Sequence, residues 1–585
     1  MIEGLRHLRV VDFSREIAGP YCTKLLADAG ADVIKIEPPE GDPARRMTAT
    51  GVDLRGEDSA LFRYLNTSKR SVVGRPGDPH VDELVAGADI VVEDFGPKHF
   101  DVAALRSRHP HLVVVTITPY GSTGPYADRP ATEFIVQAES GSVLYRGKPD
   151  REPVQVGGRV SEFQGGAYAA PPAIAAALRA RRTGVGEHID VSLVESMVIA
   201  TTTFADLSHH FHGRPELTTP IRNPETPSIE PAADGYVGFN TNTGQMFQNF
   251  LLLIERPDLL DDAELATFGG RIARREEWER IMHEFMRRHT VAEIVERAAA
   301  LRIPVAPVCN GQTILENEHL VARGVFVRNP AGFVQPRPPY LIDGETVRPF
   351  EPAPALGEHT RNVEPRPKPV PTEPDADPPA LPLAGLKVLD LTSWWAGPSS
   401  TQFLAAMGAE VVHVESTSHP DGMRLTGYVF GQPEWWEWGH MFVAVNTDKL
   451  GITLDLSTPR GREVCERLIK WADVIVENFA PRVVENWGYD RDGVFAINPN
   501  VVYCRMPAFG LTGPWRDRVG FAQTMEQLTM AWITGYPDDQ PMIPRGPCDP
   551  LAGLHSAVAM LAALAERERR GRGVFIESTM VEAAL

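Results

Sequence analysis

Basic residues are in deficit: 58 Lys and Arg stand against 77 Asp and Glu in 585 residues, a net charge of −19. A nucleic-acid binder needs a basic face, so that class of partner is excluded. Any anionic ligand must be held by local cations or backbone N–H groups, because the global field repels it. Cysteine is scarce too. Cys22, Cys309, Cys465, Cys504 and Cys548 are scattered without metal-ligand spacing, which fits a reducing cytoplasm and predicts no metal site. Cys548 reads as a small buried residue rather than a nucleophile. No signal peptide is read at the start, and no apolar run reaches membrane-spanning length without charge. The expectation is a cytoplasmic protein with no membrane partner. An apolar fraction of 43% and a charged fraction of 23% are ordinary for globular domains, and the length predicts two to four of them.

What is present is a repeat. "VVDFSREIAGPYCTKLLADAGADVIKIE" (10–37) aligns without a gap to "VLDLTSWWAGPSSTQFLAAMGAEVVHVE" (388–415). Four more blocks follow in the same order: "NTSKRSVV" with "NTDKLGIT", "ADIVVEDFGP" with "ADVIVENFAP", "PYGSTGPYADR" with "AFGLTGPWRDR", and "RRTGVGEHIDVSLVES" with "ERRGRGVFIESTMVEA". Ordered blocks seen twice mean a duplicated domain. Residues 364–381, rich in Pro and charge, read as a semi-extended linker. Each copy opens with an apolar run, a turn, a helix and a second apolar run, which predicts an α/β fold: a doubly wound, Rossmann-like parallel sheet. Glu37 and Glu415 stand where a ribose-binding acid would sit, but only Ala-Gly-Pro precedes them. With no glycine loop to cradle a pyrophosphate, a dinucleotide cofactor is not expected.

The blocks together resemble the family III CoA-transferases, the CaiB/BaiF family. The marks are "AGP…LADAGADVIKIEPPEGDPAR", "NTDK", "VENFAP", "FGLTGP" and the Gly-x-Gly turn before "IDVSLVE" or "IESTMVE". The resemblance implies a large doubly wound domain plus a small α+β domain, duplicated. The first copy spans 1–363, with its large domain over about 1–200 and a C-terminal return, and its small domain over about 225–330. The second spans 382–585 and carries the large-domain part only. It has no counterpart of residues 200–365, so the sequence is expected to be a segment of a longer chain. The two copies are expected to form an intramolecular pseudo-dimer, or chains an interlocked homodimer.

The resemblance also implies site residues. The family's catalytic Asp precedes a small-apolar helix, and "CDPLAG" places Asp549 there. Taken alone, Asp549 reads as a helix N-cap with Pro550 at the first helical position. Glu162 stands as far before Gly186 as Asp549 stands before Gly573, and being one methylene longer it reads as the degenerate equivalent. Gly553 is expected to allow close substrate approach. The implied CoA contacts are Ala396, Arg424, Asn446, Lys449, Asn478 and Phe479 in the second copy, and Ala18, Arg45 and Lys69 in the first. The cations among them would offset CoA's phosphates, with Lys449 and Asn478 sharing a crevice at the carboxyl ends of the strands. Trp394, Trp395, Trp435, Trp436 and Trp438 either wall an acyl pocket or pack as ordinary core. The His-containing stretch 209–226 reads as a polar loop.

A carboxylate suits CoA transfer, because it can carry an acyl group as an anhydride and then CoA as a thioester. CoA and its acyl ester would be substrates, a small carboxylic acid the acceptor, and no cofactor permanently bound. Three other readings stand beside this one: a transferase coupled to lyase chemistry, a racemase, and a non-catalytic CoA-binding scaffold. The racemase lacks its His base, since "RPATEF" and "RVGFAQ" occupy the place.

Overall fold

The computed structural model describes residues 4–202, 204–213, 222, 225–346, 348–374, 379–426 and 431–585. Short Val- and Ile-rich runs form β1 (Arg9–Asp12), β2 (Asp32–Glu37), β3 (Arg70–Val73), β4 (Ile90–Glu93), β5 (Val113–Thr118) and β6 (His188–Ser192). They pair in parallel in the order β3-β2-β1-β4-β5-β6. β1, β4 and β5 are buried along their whole length, as strands covered by helices on both faces must be.

The chain then builds a small antiparallel sheet from β7 (Ile229–Pro231), β8 (Tyr236–Phe239) and β9 (Val305–Pro307). Its separate apolar core centres on Trp278, Phe250 and Phe285. After a hairpin of β10 (Phe326–Arg328) and β11 (Val334–Pro336), β12 (Tyr340–Ile342) pairs antiparallel with a strand of the second copy. That second sheet holds β13 (Lys387–Asp390), β14 (Glu410–Glu415), β15 (Lys449–Thr453), β16 (Val474–Glu477), β17 (Val502–Arg505) and β18 (Val574–Ser578). Its order is β12-β18-β17-β16-β13-β14-β15. Leaving aside β12, this is the order of the first sheet. The fold is a duplicated, doubly wound α/β architecture.

The first copy therefore reaches across and comes back. His319 takes the Phe509 carbonyl at 2.6 Å, and Arg323 pairs with Glu577 and Glu582 at 2.8 and 2.7 Å. Arg337 holds the other oxygen of Glu582. Beyond β12 the chain returns to the edge of the first sheet, where the His359 N–H donates to the Ser71 carbonyl and the Thr360 hydroxyl accepts from the Val73 N–H.

Four helices form the seam between the copies. Each copy has an opening helix after its first strand (Ala18–Asp28 and Ala396–Ala406) and a long helix before its last (Val160–Thr183 and Cys548–Arg570). One continuous apolar core contains residues of all four. Tyr168 of the first long helix packs edge-on against Phe403 of the second opening helix, and Tyr21 bonds His555 across the seam at 3.2 Å. The second long helix is apolar and long enough to cross a membrane, but 94% of its most apolar window is buried in the chain's own core. The linker is more than a spacer: the N–H groups of Thr372 and Glu373 cap the last carbonyls of the first long helix, from Arg181 and Arg182. Residues 375–378 of the linker, and 214–221, 223 and 224 of the stretch read as a polar loop, lie outside the described residues. Within that stretch, residues 209–211 belong to the helix Ala205–Phe211.

The buried bridge at Arg323 tests how firmly the crossing segment is tied down. Arg323→Met leaves Glu577 and Glu582 short of a cation, and breaking a buried pair costs about 3–5 kcal/mol. Urea denaturation should show a lower midpoint; an unchanged midpoint would count against the bridge as an anchor.

Candidate active site

The site is built around a turn that cannot hold itself. After β13 the chain bends through residues 392–395 before the opening helix begins at Ala396. Trp394 sits there at φ 68°, in the left-handed region. Three side chains bracket the turn. Asp390 accepts the Thr392 N–H at 2.9 Å, Asn478 accepts the Ser393 N–H and returns a bond to its carbonyl, and Asp421 accepts the Trp394 N–H. The first copy repeats the device with Asp12 on Ser14, Asp94 on Arg15 and Asp42 on Glu16, which also has positive φ.

The bracket leaves the N–H of Ala396, the first of the opening helix, without a partner in its own helix. Asp549 lies close enough for that N–H to pull its carboxyl down. Geometry explains how. Gly553 lies one turn further along the long helix, and a Cβ there would stand 3.0–3.1 Å from Ser399, Ser400 and the Ala396 carbonyl. The glycine thus lets the two helices cross closely, which brings Asp549, on the same face, onto Ala396. Its bareness serves this helix contact. The capping role fails: the helix begins at Cys548, Pro547 is its N-cap and makes no side-chain bond, and Asp549 is already helical.

Asp549 is 8% exposed. Burial pushes its carboxyl up to about 8, with the nearby Glu526 adding to the rise and the Ala396 N–H opposing it. Glu526 is fully buried and pushed up to about 7 by burial. Glu526 is missed from the sequence, because an acid inside a helix reads as a solvated residue. Cys548 is buried, and burial raises its thiol well above the ordinary range, so it does not supply a thiolate.

Glu162 occupies the matching turn of the first long helix but is engaged differently. It pairs with Arg159, which also holds Glu16 at 2.9 Å. Burial pushes its carboxyl up to about 7 against that pairing. Gly166 makes the same close crossing against the Ala18 carbonyl.

The cations predicted to face phosphates are turned inward. Lys449 is 2% exposed and its ammonium meets Asp390 at 3.0 Å, the Pro398 carbonyl at 2.9 Å and Asn446 at 2.9 Å. Lys69 is fully buried and meets Asp12 at 3.4 Å, Pro20 at 2.8 Å and Thr23 at 2.7 Å. Arg45 lies between Glu37 and Asp58 and stacks on Phe62; Arg424 lies between Glu415 and Glu437 and stacks on Phe442. In this structure all four are paired with carboxylates. Asn446 bonds Lys449 and the Phe442 carbonyl. Lys449 and Asn478 do meet one region, both acting on the turn around Asp390 rather than lining an open crevice. Phe479 packs edge-on against Trp487.

Of the tryptophans, Trp395 is buried against Phe204 of the first copy and Trp394 packs against Phe521. Trp435 and Trp436 are 37% and 44% exposed, and Trp438 meets Phe211. Among the described residues no three His, Cys, Asp or Glu converge as a metal site.

Against known proteins, the family model "CoA-transferase family III" matches residues 5–360 and again 383–585. A probable CoA-transferase of Mycobacterium tuberculosis is 30% identical over 96% of this chain and 73% of its own length. A succinate–glutarate CoA-transferase of Agrobacterium fabrum is 31% identical over 61% of this chain and 94% of its own. A solved CaiB/BaiF family protein from Brucella suis is 29% identical, with TM-score 0.54, over 62% of this chain and 98% of its own.

The inward cations give a stability prediction. Burial by itself would raise the Asp390 carboxyl, but the Lys449 ammonium and His413 hold it well below the usual range. Lys449→Ala leaves this buried carboxylate without its closest ammonium and should cost about 3–5 kcal/mol, read as a lower melting temperature. A variant of unchanged stability with weakened CoA binding would restore Lys449 to the phosphates.

Proposed function

The chain belongs to CoA-transferase family III and is a CoA-transferase, and we propose that it moves CoA between carboxylic acids by covalent catalysis at Asp549. The Asp549 carboxylate attacks the carbonyl carbon of the donor thioester. The C–S bond breaks, CoA leaves as the thiolate, and Asp549 carries the acyl group as a mixed anhydride. The thiolate attacks the Asp549 carbonyl carbon and expels the donor acid, leaving an aspartyl-CoA thioester. The acceptor carboxylate then displaces CoA from Asp549, and the thiolate attacks the acceptor's carbonyl in the new anhydride. The new acyl-CoA departs and Asp549 is a carboxylate again.

The observation that carries this reading is Asp549 itself: a buried carboxyl near the first N–H of a helix, beside a second buried acid. The helix N-terminus suits a group that passes through negatively charged intermediates. The neighbouring Glu526 raises the free energy of the Asp549 anion, and acylation relieves that repulsion because the anhydride is neutral. Burial keeps water from the anhydride. Ala396 would donate to the reacting carboxyl, while Ala18, Arg45, Lys69, Arg424, Asn446, Lys449, Asn478 and Phe479 would shape the CoA-binding edges of the two copies through the turns they fix. The Agrobacterium relative is named for succinate and glutarate, so we take succinyl-CoA with glutarate as the first donor and acceptor to assay. CoA and acyl-CoA act as substrates, and the two copies serve as each other's partner within the chain.

Asp549→Asn should fold and lose at least about 1,000-fold in turnover, because an amide cannot form the anhydride. Hydroxylamine added with succinyl-CoA should leave a hydroxamate at Asp549, found by peptide mass spectrometry. Glu162→Gln should keep most of the activity. Substantial turnover by Asp549→Asn would sink the mechanism.

The pH dependence has a defined sign. Attack requires the carboxylate, and the carboxyl titrates at about 8. In the free enzyme, kcat/KM should climb roughly tenfold per unit from about pH 6 and level off above about 8. Glu526→Gln removes the like charge, so its rising limb should lie at lower pH. A profile flat from about pH 6 upward would count against Asp549 as the nucleophile.

A further inference from the structure

The loop leading into Asp549 is gripped by two charged side chains, one from each copy. Glu526 is fully buried. It accepts the N–H groups of Arg545 at 2.8 Å, Gly546 at 2.9 Å and Cys548 at 3.3 Å. Arg146 of the first copy is also fully buried. It donates to the Pro544 carbonyl at 2.5 Å, while its remaining bonds go to the Val154 and Ser142 carbonyls and the Ser142 hydroxyl. Residues 544–548 thus have their carbonyl end held by a cation and their N–H groups by an anion. The Arg545 side chain itself reaches the first copy, at Glu225.

The internal repeat supplies a control. In the loop before Glu162 the anion sits elsewhere: Glu133 accepts the Ser161 N–H at 3.1 Å, while residues 156 and 157 are held by neutral groups. Gln137, which aligns with Glu526, accepts the Val156 N–H at 2.9 Å and donates to the Val156 carbonyl at 2.9 Å. Thr534, which aligns with Arg146 ("RGKPD" against "TGYPD"), accepts the Gly157 N–H from across the seam at 3.3 Å. At the aligned pair of positions one copy has Gln137 and Thr534, the other Glu526 and Arg146. The change is paired. A buried carboxylate or guanidinium alone is costly, and each charge here compensates the other through the loop's peptide groups.

We propose that Arg146 and Glu526 act as one charged clamp through which the first copy positions the Asp549 loop. Arg146 is then a positioning residue for a reaction carried out on the other copy, and the first copy contributes to catalysis without using Glu162. The proposal rests on the reading of Asp549 as nucleophile. Misplacing a nucleophile by about 1 Å can cost about 100-fold in rate, so loosening this loop has a kinetic signature.

The test uses the full chain with four variants: Arg146→Thr, Glu526→Gln, the two combined, and Asp549→Asn. Hydrogen–deuterium exchange of the peptide spanning 544–548 reads the clamp, and kcat and KM with succinyl-CoA and glutarate read its consequence. Each single change should speed exchange there about tenfold or more and lower kcat about 10- to 100-fold, with KM within about threefold. The double variant removes both buried charges together, so neither is left uncompensated, and it should be clearly less impaired than the two singles multiplied, a coupling that independent sites do not show. Unchanged exchange or kcat in the singles overturns the proposal, as does a double variant as impaired as the two singles multiplied. If a single variant fails to fold, a folded double with near-parental exchange still supports the clamp, and an unfolded double rejects it. Asp549→Asn keeps the exchange pattern. Should it retain turnover, the nucleophile reading falls, while the exchange result stands by itself.

Discussion

A buried carboxylate at the end of the first strand sets the terms for each copy. Asp12 and Asp390 are fully buried, and a charge in that position must be paired and hydrogen-bonded or be lost. The solution is the same twice. A lysine from the third strand reaches under the opening helix, a hydroxyl two residues on bonds the near oxygen, and a threonine in the opening helix bonds the far one. These partners come from three separate elements, so satisfying one carboxylate ties strand, turn and helix into a single unit. The backbone turn that follows and the helix start that presents the Ala396 N–H are consequences of that unit.

The two copies use this frame unequally. Gly166 and Gly553 give both long helices the same close crossing over their opening helices. In the second copy the crossing sets Asp549 on a helix start, next to Glu526. In the first it sets Glu162 beside Arg159, where the carboxylate is neutralised locally. A seam of four apolar helices holds the copies together, and the first copy's arm, with its buried arginines, locks onto the second sheet. The seam brings side chains of one copy, such as Arg146, onto the loops of the other.

Much of this was legible in the residues. The ungapped 10–37 and 388–415 match fixed the duplication, and alternating apolar runs fixed the parallel sheets, because both depend on patterns local to the chain. Asp549 stood out through its small-residue context before a long apolar helix. The expected phosphate ligands show where local reading stops, for a physical reason. A lysine or arginine in a loop motif looks available, and only the fold reveals that Lys69, Lys449, Arg45 and Arg424 already face buried acids. Glu526 and Arg146 were silent because neither belongs to a motif, and the groups they hold lie about 20 and 400 positions away in the chain.

The sequence by itself determined the repeat, the α/β class, the family and the candidate Asp549, since each is written in local pattern and ordered blocks. The tertiary structure alone decided what surrounds that residue: which helix start it lies near, which acid crowds it, and which side chains hold its loop. Those are contacts between elements remote in the chain, and burial, which turns an ordinary carboxyl into one pushed up to about 8, is a property of packing that no stretch of sequence carries alone.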